Sequence, residues 1–253
     1  MKMAGALSMY DLPGVEADVD ILWRAIAERI DAEPVRQRPD DLHHHWASGA
    51  YILSQTCGFP LVDELDGMVD VVGVFTTAVS SERPGHYRSV IIAPLENNSG
   101  PVAMNSWDSL SGYVSLACYL QRHAEASNAP RPDVRLTGGH RHSLAAVASG
   151  AACLASIDAV TFDILSRTEP DHVAKVQRVG VGPLVPCLPL VTPDRSAVVR
   201  LRRGIAAALQ DSGTATAQRN LSITGFLSLD QSDFLGIRDL IASARTFLPP
   251  EGS

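Results

Sequence analysis

The chain alternates. Short apolar, β-branched runs hand over again and again to stretches whose apolar residues recur every three or four positions. The junctions between them are rich in Ser, Thr, Asp and Gly. A strand-period run followed by a helix-period run is the βα unit. Repeated βα units bury their apolar faces by building a largely parallel sheet covered with helices. This alternation assigns the chain to the α/β class before any single residue is considered.

Residues 4–9 predict a first strand, Tyr10-Asp11-Leu12-Pro13-Gly14 a turn, and 15–32 a helix with Val15, Val19, Leu22, Ile26 and Ile30 on one face. Residues 40–47 suggest a short helix capped by Asp40 or Asp41, and a second short helix is expected at 60–65. Further strands are expected at 51–54, 69–79, 87–94, 101–105, 133–137 and 152–157, with one or two more within 176–191. Helices are expected up to about His123, at 141–149 and at 160–167. The last third reads as helical, at 195–210, 214–220 and 231–247, with turns at Gly213 and Gly225. There is no internal repeat and no low-complexity linker. A length of 253 residues suits one large α/β domain or two small lobes.

A net charge of −7 argues against a nucleic-acid surface, which needs clustered Lys and Arg. It does not argue against binding a small anion, because helix N-termini act locally. The four cysteines, Cys57, Cys118, Cys153 and Cys187, have no metal-site spacing and read as small buried hydrophobes. No apolar run reaches the roughly 18 residues of a membrane helix, and the first residues lack a secretory apolar stretch. The expected compartment is therefore cytoplasmic as written, or periplasmic if a signal has been removed.

In α/β sheets, ligands sit beyond the carboxyl ends of the strands, which directs attention to five junctions. The strongest is Asp108-Ser109-Leu110-Ser111-Gly112-Tyr113, between a strand and a helix. Two hydroxyls and a glycine at a helix N-terminus suit an oxyanion; the alternative is a plain N-cap. The second is Thr137-Gly138-Gly139-His140-Arg141-His142-Ser143, an array of donors or else a surface loop. Ser54-Gln55-Thr56-Cys57-Gly58, the Tyr10 turn and Asp158 complete the set.

These segments, with Leu144-Ala145-Ala146-Val147, Gly150, Ala155-Ser156-Ile157-Asp158 and Pro183-Leu184-Val185-Pro186, resemble the phosphate, phosphite and phosphonate ABC-transporter substrate-binding family. The resemblance implies a two-lobed type 2 periplasmic-binding-protein fold, with a mixed, mostly parallel sheet in each lobe and a ligand cleft between them. Lobe 1 would comprise residues 1–85 and 185–253, and lobe 2 residues 86–184. The resemblance further implies that Ser109, Leu110, Ser111 and Gly112 hold the oxyanion and that His140 donates to it. Tyr10 and Tyr87 would wall the cleft, Gln55 and Thr56 would contact the ligand, and Asp158 would lie near its other end. Aminophosphonate-binding relatives carry an acid after the Ile-Pro-like segment. Leu188 stands there in this chain, so amine recognition at that place is not implied.

The expected function is capture of a small anionic ligand for ABC-type transport, with no catalysis, no cofactor and no metal. The expected partner is an ABC-transporter permease, and the expected oligomeric state a monomer or weak dimer. A cytoplasmic ligand sensor of the same fold is the alternative. A hydrolase would use Ser109 or Cys57 as nucleophile, His140 or His142 as base, and Asp158 or Asp163 to orient it. His43, His44 and His45 are consecutive and cannot all face one metal centre from a helix.

Overall fold

The computed structural model describes residues 2–79, 82–96, 99–127 and 131–250. The chain divides into two units, Met1–His86 with Pro186–Leu235, and Tyr87–Val185 with Gly236–Ser253.

The first unit opens with an extended segment in which Ala6 bridges Ser54 in parallel. The Ala6 amide donates to the Leu53 carbonyl at 2.9 Å, and the Gln55 amide to the Ala6 carbonyl at 3.0 Å. Helix α1 (Glu16–Ile30) buries the stripe Val19, Leu22, Trp23, Ile26, Ala27 and Ile30. Each such aliphatic side chain contributes roughly 1.5–3 kcal/mol by leaving water. Helix α2 (Leu42–Ser48) is capped by Asp41, whose carboxylate accepts from the His44 amide at 3.0 Å. Strand β1 (Ser54–Gln55), helix α3 (Gly58–Val62), strand β2 (Asp70–Thr77) and strand β3 (His86–Tyr87) follow.

The second unit holds β4 (Val90–Pro94) and β5 (Val102–Met104), then a π-helical turn, Leu110–Val114, that runs into α4 (Ser115–Ser127). Next come β6 (Val134–Leu136), α5 (His140–Ala148), β7 (Leu154–Ile157), α6 (Ala159–Thr168), α7 (Pro170–Val173), β8 (Val176–Val181) and β9 (Val185–Pro186). Back in the first unit lie β10 (Pro189–Thr192), α8 (Val198–Leu209), α9 (Ala215–Asn220) and β11 (Ile223–Leu227). The final helix, α10 (Ile237–Phe247), belongs to the second unit.

The second unit's sheet has the order β6-β5-β7-β4-β8. Strand β5 runs parallel to both neighbours, and β4 runs antiparallel to β7 and β8. The first unit's sheet, β1-β10-β2-β11, pairs its named strands antiparallel, and its parallel element is the Ala6 bridge. A mostly parallel sheet is thus found in the second unit and not in the first, because β10 and β11 return against the direction of β2.

Three local expectations change. The segment 87–94 is not one strand but β3 and β4, broken at Arg88-Ser89. Gly225 is not a turn: it lies in β11, at a register shift between Ile223 and Gly225 against β2. Residues 236–250 pack in the second unit rather than with the first lobe, and 251–253 lie outside the described residues. There the fully buried Tyr113 donates its hydroxyl to the Leu248 carbonyl at 2.8 Å, and Ser243 donates to Gln121 Oε1 at 3.0 Å. Among the described residues, no helix is long and apolar enough to cross a membrane.

Candidate anion-binding site at three strand ends

Strands β6, β5 and β7 are adjacent and parallel, so their carboxyl ends share one edge of the sheet. Each end passes into a helix N-terminus. Strand β5 leads to Ser109–Gly112, β6 to Gly138-Gly139-His140, and β7 to Asp158. The parallel topology therefore gathers segments that lie far apart in the chain.

Ser109 has extended backbone, and its Oγ accepts from the Gly112 amide at 2.9 Å. Its carbonyl accepts from both the Tyr113 and Val114 amides at 3.1 Å, which widens the first turn into a π-turn. The N-terminal amides of a helix have no partner within it and project from its end, where the macrodipole favours negative charge. Gly112 is required by close approach: a Cβ there would lie 1.7 Å from Asn105 Oδ1. Ser109 and Ser111 are both buried, at 4% exposure.

The β6 end is tied to the β5 end. The Thr137 amide donates to the Met104 carbonyl at 2.9 Å, and the Gly138 amide to the Asn105 carbonyl at 3.0 Å. Thr137 Oγ1 also bonds Ser143 Oγ at 2.7 Å, which fixes the start of α5. Gly138 has a φ of +77°, a left-handed conformation that suits glycine. This geometry places His140 Nε2 2.8 Å from Ser111 Oγ. At the β7 end, Ser156 Oγ donates to the Ser111 carbonyl at 2.5 Å, and the Asp158 carboxylate caps α6 through the Thr161 amide at 2.9 Å. Burial holds the His140 pKa below the usual imidazole range, against the opposing pull of the Asp158 charge and the Ser156 backbone.

Six expected site residues thus fall at this edge: Ser109, Leu110, Ser111, Gly112, His140 and Asp158. The first unit carries Tyr10, Gln55 and Thr56. Tyr10 and Gln55 line a narrow apolar pocket with Leu7, Val19, Leu22, Phe75, Leu221 and Ile223. Thr56 is fully buried, and its hydroxyl reaches the Cys57 carbonyl at 3.4 Å. The Tyr10 turn is held by Arg36, buried at 6% exposure, which makes two bonds to Asp11 at 2.6 and 2.7 Å and one to Asp20 at 2.6 Å. Tyr87 lies in β3, at the start of the second unit.

Sequence reasoning missed Asn105, and it quoted Thr137, Ser143 and Ser156 within their segments without giving any of them a role of its own. Asn105 could have been found as the residue closing β5 before the Ser109 turn. The bond from Ser156 to Ser111 has no local signal, since Ser156 is one hydroxyl in an otherwise apolar strand. Other candidates disperse. Cys57 is buried at the start of α3 in the first unit, His142 is exposed, and Asp163 pairs with Arg167 at 2.8 Å. His43 pairs with Glu64 at 2.6 Å, whereas His45 turns inward, with Nε2 3.2 Å from Ser54 Oγ. Among the described residues, no group of three or more His, Cys, Asp or Glu could hold a metal ion.

No curated protein matches the chain significantly. Its fold is similar to that of a binding protein component of an ABC phosphonate transporter from Pseudomonas aeruginosa, with a TM-score of 0.78 and 14% identity over 97% of this chain and 87% of that one. PhnD1 from Prochlorococcus marinus, in complex with methylphosphonate, gives a TM-score of 0.76 and 12% identity over 98% of this chain and 99% of that one. A Xanthomonas citri protein bound to chloride gives 0.69 and 16% identity, covering 96% and 97%. These likenesses show the periplasmic-binding-protein fold. The family model for the ABC transporter, phosphonate, periplasmic substrate-binding protein matches residues 68–234. With two thirds of its length matched by that model and an α/β fold of the same kind, the chain belongs to the phosphonate-binding family of ABC-transporter substrate-binding proteins.

Proposed function

We propose that this chain captures a small phosphorus oxyanion, of the phosphonate or phosphate type, for delivery to an ABC-transporter permease, and turns nothing over. The observation that carries the reading is the Ser111–His140 bond of 2.8 Å. It joins two separate strand-to-helix junctions into one donor-rich surface at a helix N-terminus. Ser109, Leu110, Ser111 and Gly112 supply hydroxyl and backbone donors, and His140 supplies a ring donor. Asp158 bounds this surface. Tyr10, Gln55, Thr56 and Tyr87 are proposed as ligand contacts from their own segments. The buried, apolar Leu188 favours a ligand without an amine.

A serine hydrolase reading draws on the same Ser111–His140 pair, with Ser111 in place of Ser109. Its candidate orienting carboxylate is engaged elsewhere: Asp158 caps α6 through the Thr161 amide at 2.9 Å. A thermal-shift screen against phosphate, phosphite, alkylphosphonates, aminophosphonates and sulfate tests the proposal. A concentration-dependent rise in Tm with a phosphorus oxyanion supports it. A flat response to every phosphorus oxyanion, or a burst of nitrophenol from a nitrophenyl ester, overturns it.

A further inference from the structure

Strand β7 packs against the π-turn Leu110–Val114, and its residues are Leu154, Ala155, Ser156 and Ile157. Ser156 is the polar member of this apolar strand, and it is fully buried. Burying a hydroxyl is costly unless it is hydrogen-bonded. Here the bond is the 2.5 Å contact from Ser156 Oγ to the Ser111 carbonyl. A carbonyl oxygen cannot donate, so the direction of this bond is fixed: Ser156 gives its one hydroxyl proton to Ser111.

That bond orients a peptide plane. In a trans peptide the C=O and the N–H point in opposite directions, and the described residues contain no cis peptide. The Ser111 carbonyl is held toward β7. The N–H of the same plane belongs to Gly112 and is therefore turned away from β7. It meets Ser109 Oγ at 2.9 Å. Ser109 thus accepts with its oxygen, and among the described residues its own hydroxyl proton has no acceptor. The groups form one line: Ser156 O–H to Ser111 C=O, Gly112 N–H to Ser109 Oγ, then the Ser109 O–H at the strand-end edge. Every donor in the line faces the same way, and in such a chain each bond polarises the next.

We propose that Ser156 is a positioning residue of the anion site, which aims and strengthens the Ser109 hydroxyl through the Ser111–Gly112 peptide. This rests on the binding reading given above and names the residue that stands behind one of its donors. Ser156 does not touch the ligand, and no proton is transferred along the line. A bond to a charged group that loses roughly 10–30% of its strength per broken link corresponds to an affinity lower by about twofold to fivefold.

The test is calorimetric titration of the full chain with methylphosphonate, in the wild type, Ser156→Ala and Ser156→Cys, with the Gly112 amide proton followed by NMR in the same proteins. Cysteine fills the space of serine but is a weak donor. Both variants are expected to bind methylphosphonate about twofold to fivefold more weakly. Their Gly112 amide proton should stand upfield of the wild-type position even before ligand is added. A serine that merely packs β7 would change the urea midpoint, leave Ser156→Cys like the wild type in affinity, and leave the Gly112 amide in place. The wild type alone supplies a second measurement, which does not depend on a variant folding. When Ser109 donates to the anion its oxygen becomes the stronger acceptor, so saturation should move the Gly112 amide proton downfield. Wild-type affinity in both variants, or a Gly112 amide proton unmoved by substitution or by ligand, overturns the role of Ser156 while binding itself stands. Failure of methylphosphonate and inorganic phosphate to bind at all overturns both readings.

Discussion

Gly112→Ala is the substitution whose consequence the structure fixes most tightly. A Cβ at this position would stand 1.7 Å from Asn105 Oδ1, 2.8 Å from Asn105 Cγ and 3.1 Å from Ser109 Oγ. Asn105 must retreat by more than an ångström, and the Ser109 cap is compressed. The obstacle is a side-chain tip rather than backbone, so the turn can survive, at the roughly 1–3 kcal/mol typical of overpacking. Gly112 lies in helical backbone without a positive φ, where alanine is intrinsically better by roughly 0.5–1 kcal/mol. Removing the obstacle should therefore reverse the sign. Asn105→Ala alone deletes a buried oxygen that has no hydrogen-bond partner, which should cost little. The double variant Gly112→Ala/Asn105→Ala should be at least as stable as Asn105→Ala alone. Urea midpoints for the four proteins give the coupling, expected at about 1–3 kcal/mol in favour of the double variant. If the double variant is as unstable as Gly112→Ala, the clash with Asn105 is not the reason for glycine here.

Asp11→Ala leaves the Arg36 guanidinium, whose side chain is 2% exposed, with Asp20 as its remaining short contact. The loss should approach the roughly 3 kcal/mol expected for breaking a buried pair, read from the urea midpoint. Tyr113→Phe removes the donor to the Leu248 carbonyl and should cost roughly 1–2 kcal/mol by the same assay. His45 has its pKa lowered by burial, so its neutral form is the one the fold stabilises. Stability from this group is complete above pH 6.5, its unperturbed value, and is lost as pH falls toward the lower folded value. His45→Gln should flatten that stretch of the pH–stability curve, and an unchanged slope would mean that another group titrates there.

Much of this was legible in the sequence because the signals were local. The strand-helix alternation placed β5, β6, β7 and their helices within a few residues. The Ser109–Gly112 segment declared a helix N-terminus through its own composition. What was not legible depends on register and direction. The antiparallel return of β10 and β11 leaves no mark in residues 189–192 or 223–227, since a short apolar run pairs either way. Gly225 read as a turn because a strand glycine and a turn glycine look alike until a partner strand shows the bulge. The Ser111–His140 bond and the Ser156 contact join residues that lie 29 and 45 positions apart. No spacing rule reaches that far; the parallel order of three strands does.

Calorimetric titration of methylphosphonate into the wild type and Ser111→Ala tests the central claim most directly. Ser111 shares the surface with His140 but is not the helix cap, so its loss should leave the fold in place. The account predicts saturable one-to-one binding by the wild type, weakened by about 1–3 kcal/mol in Ser111→Ala through the loss of a hydrogen bond to a charged group. Equal affinity in the two proteins would contradict the placement of the oxyanion at the Ser111–His140 edge.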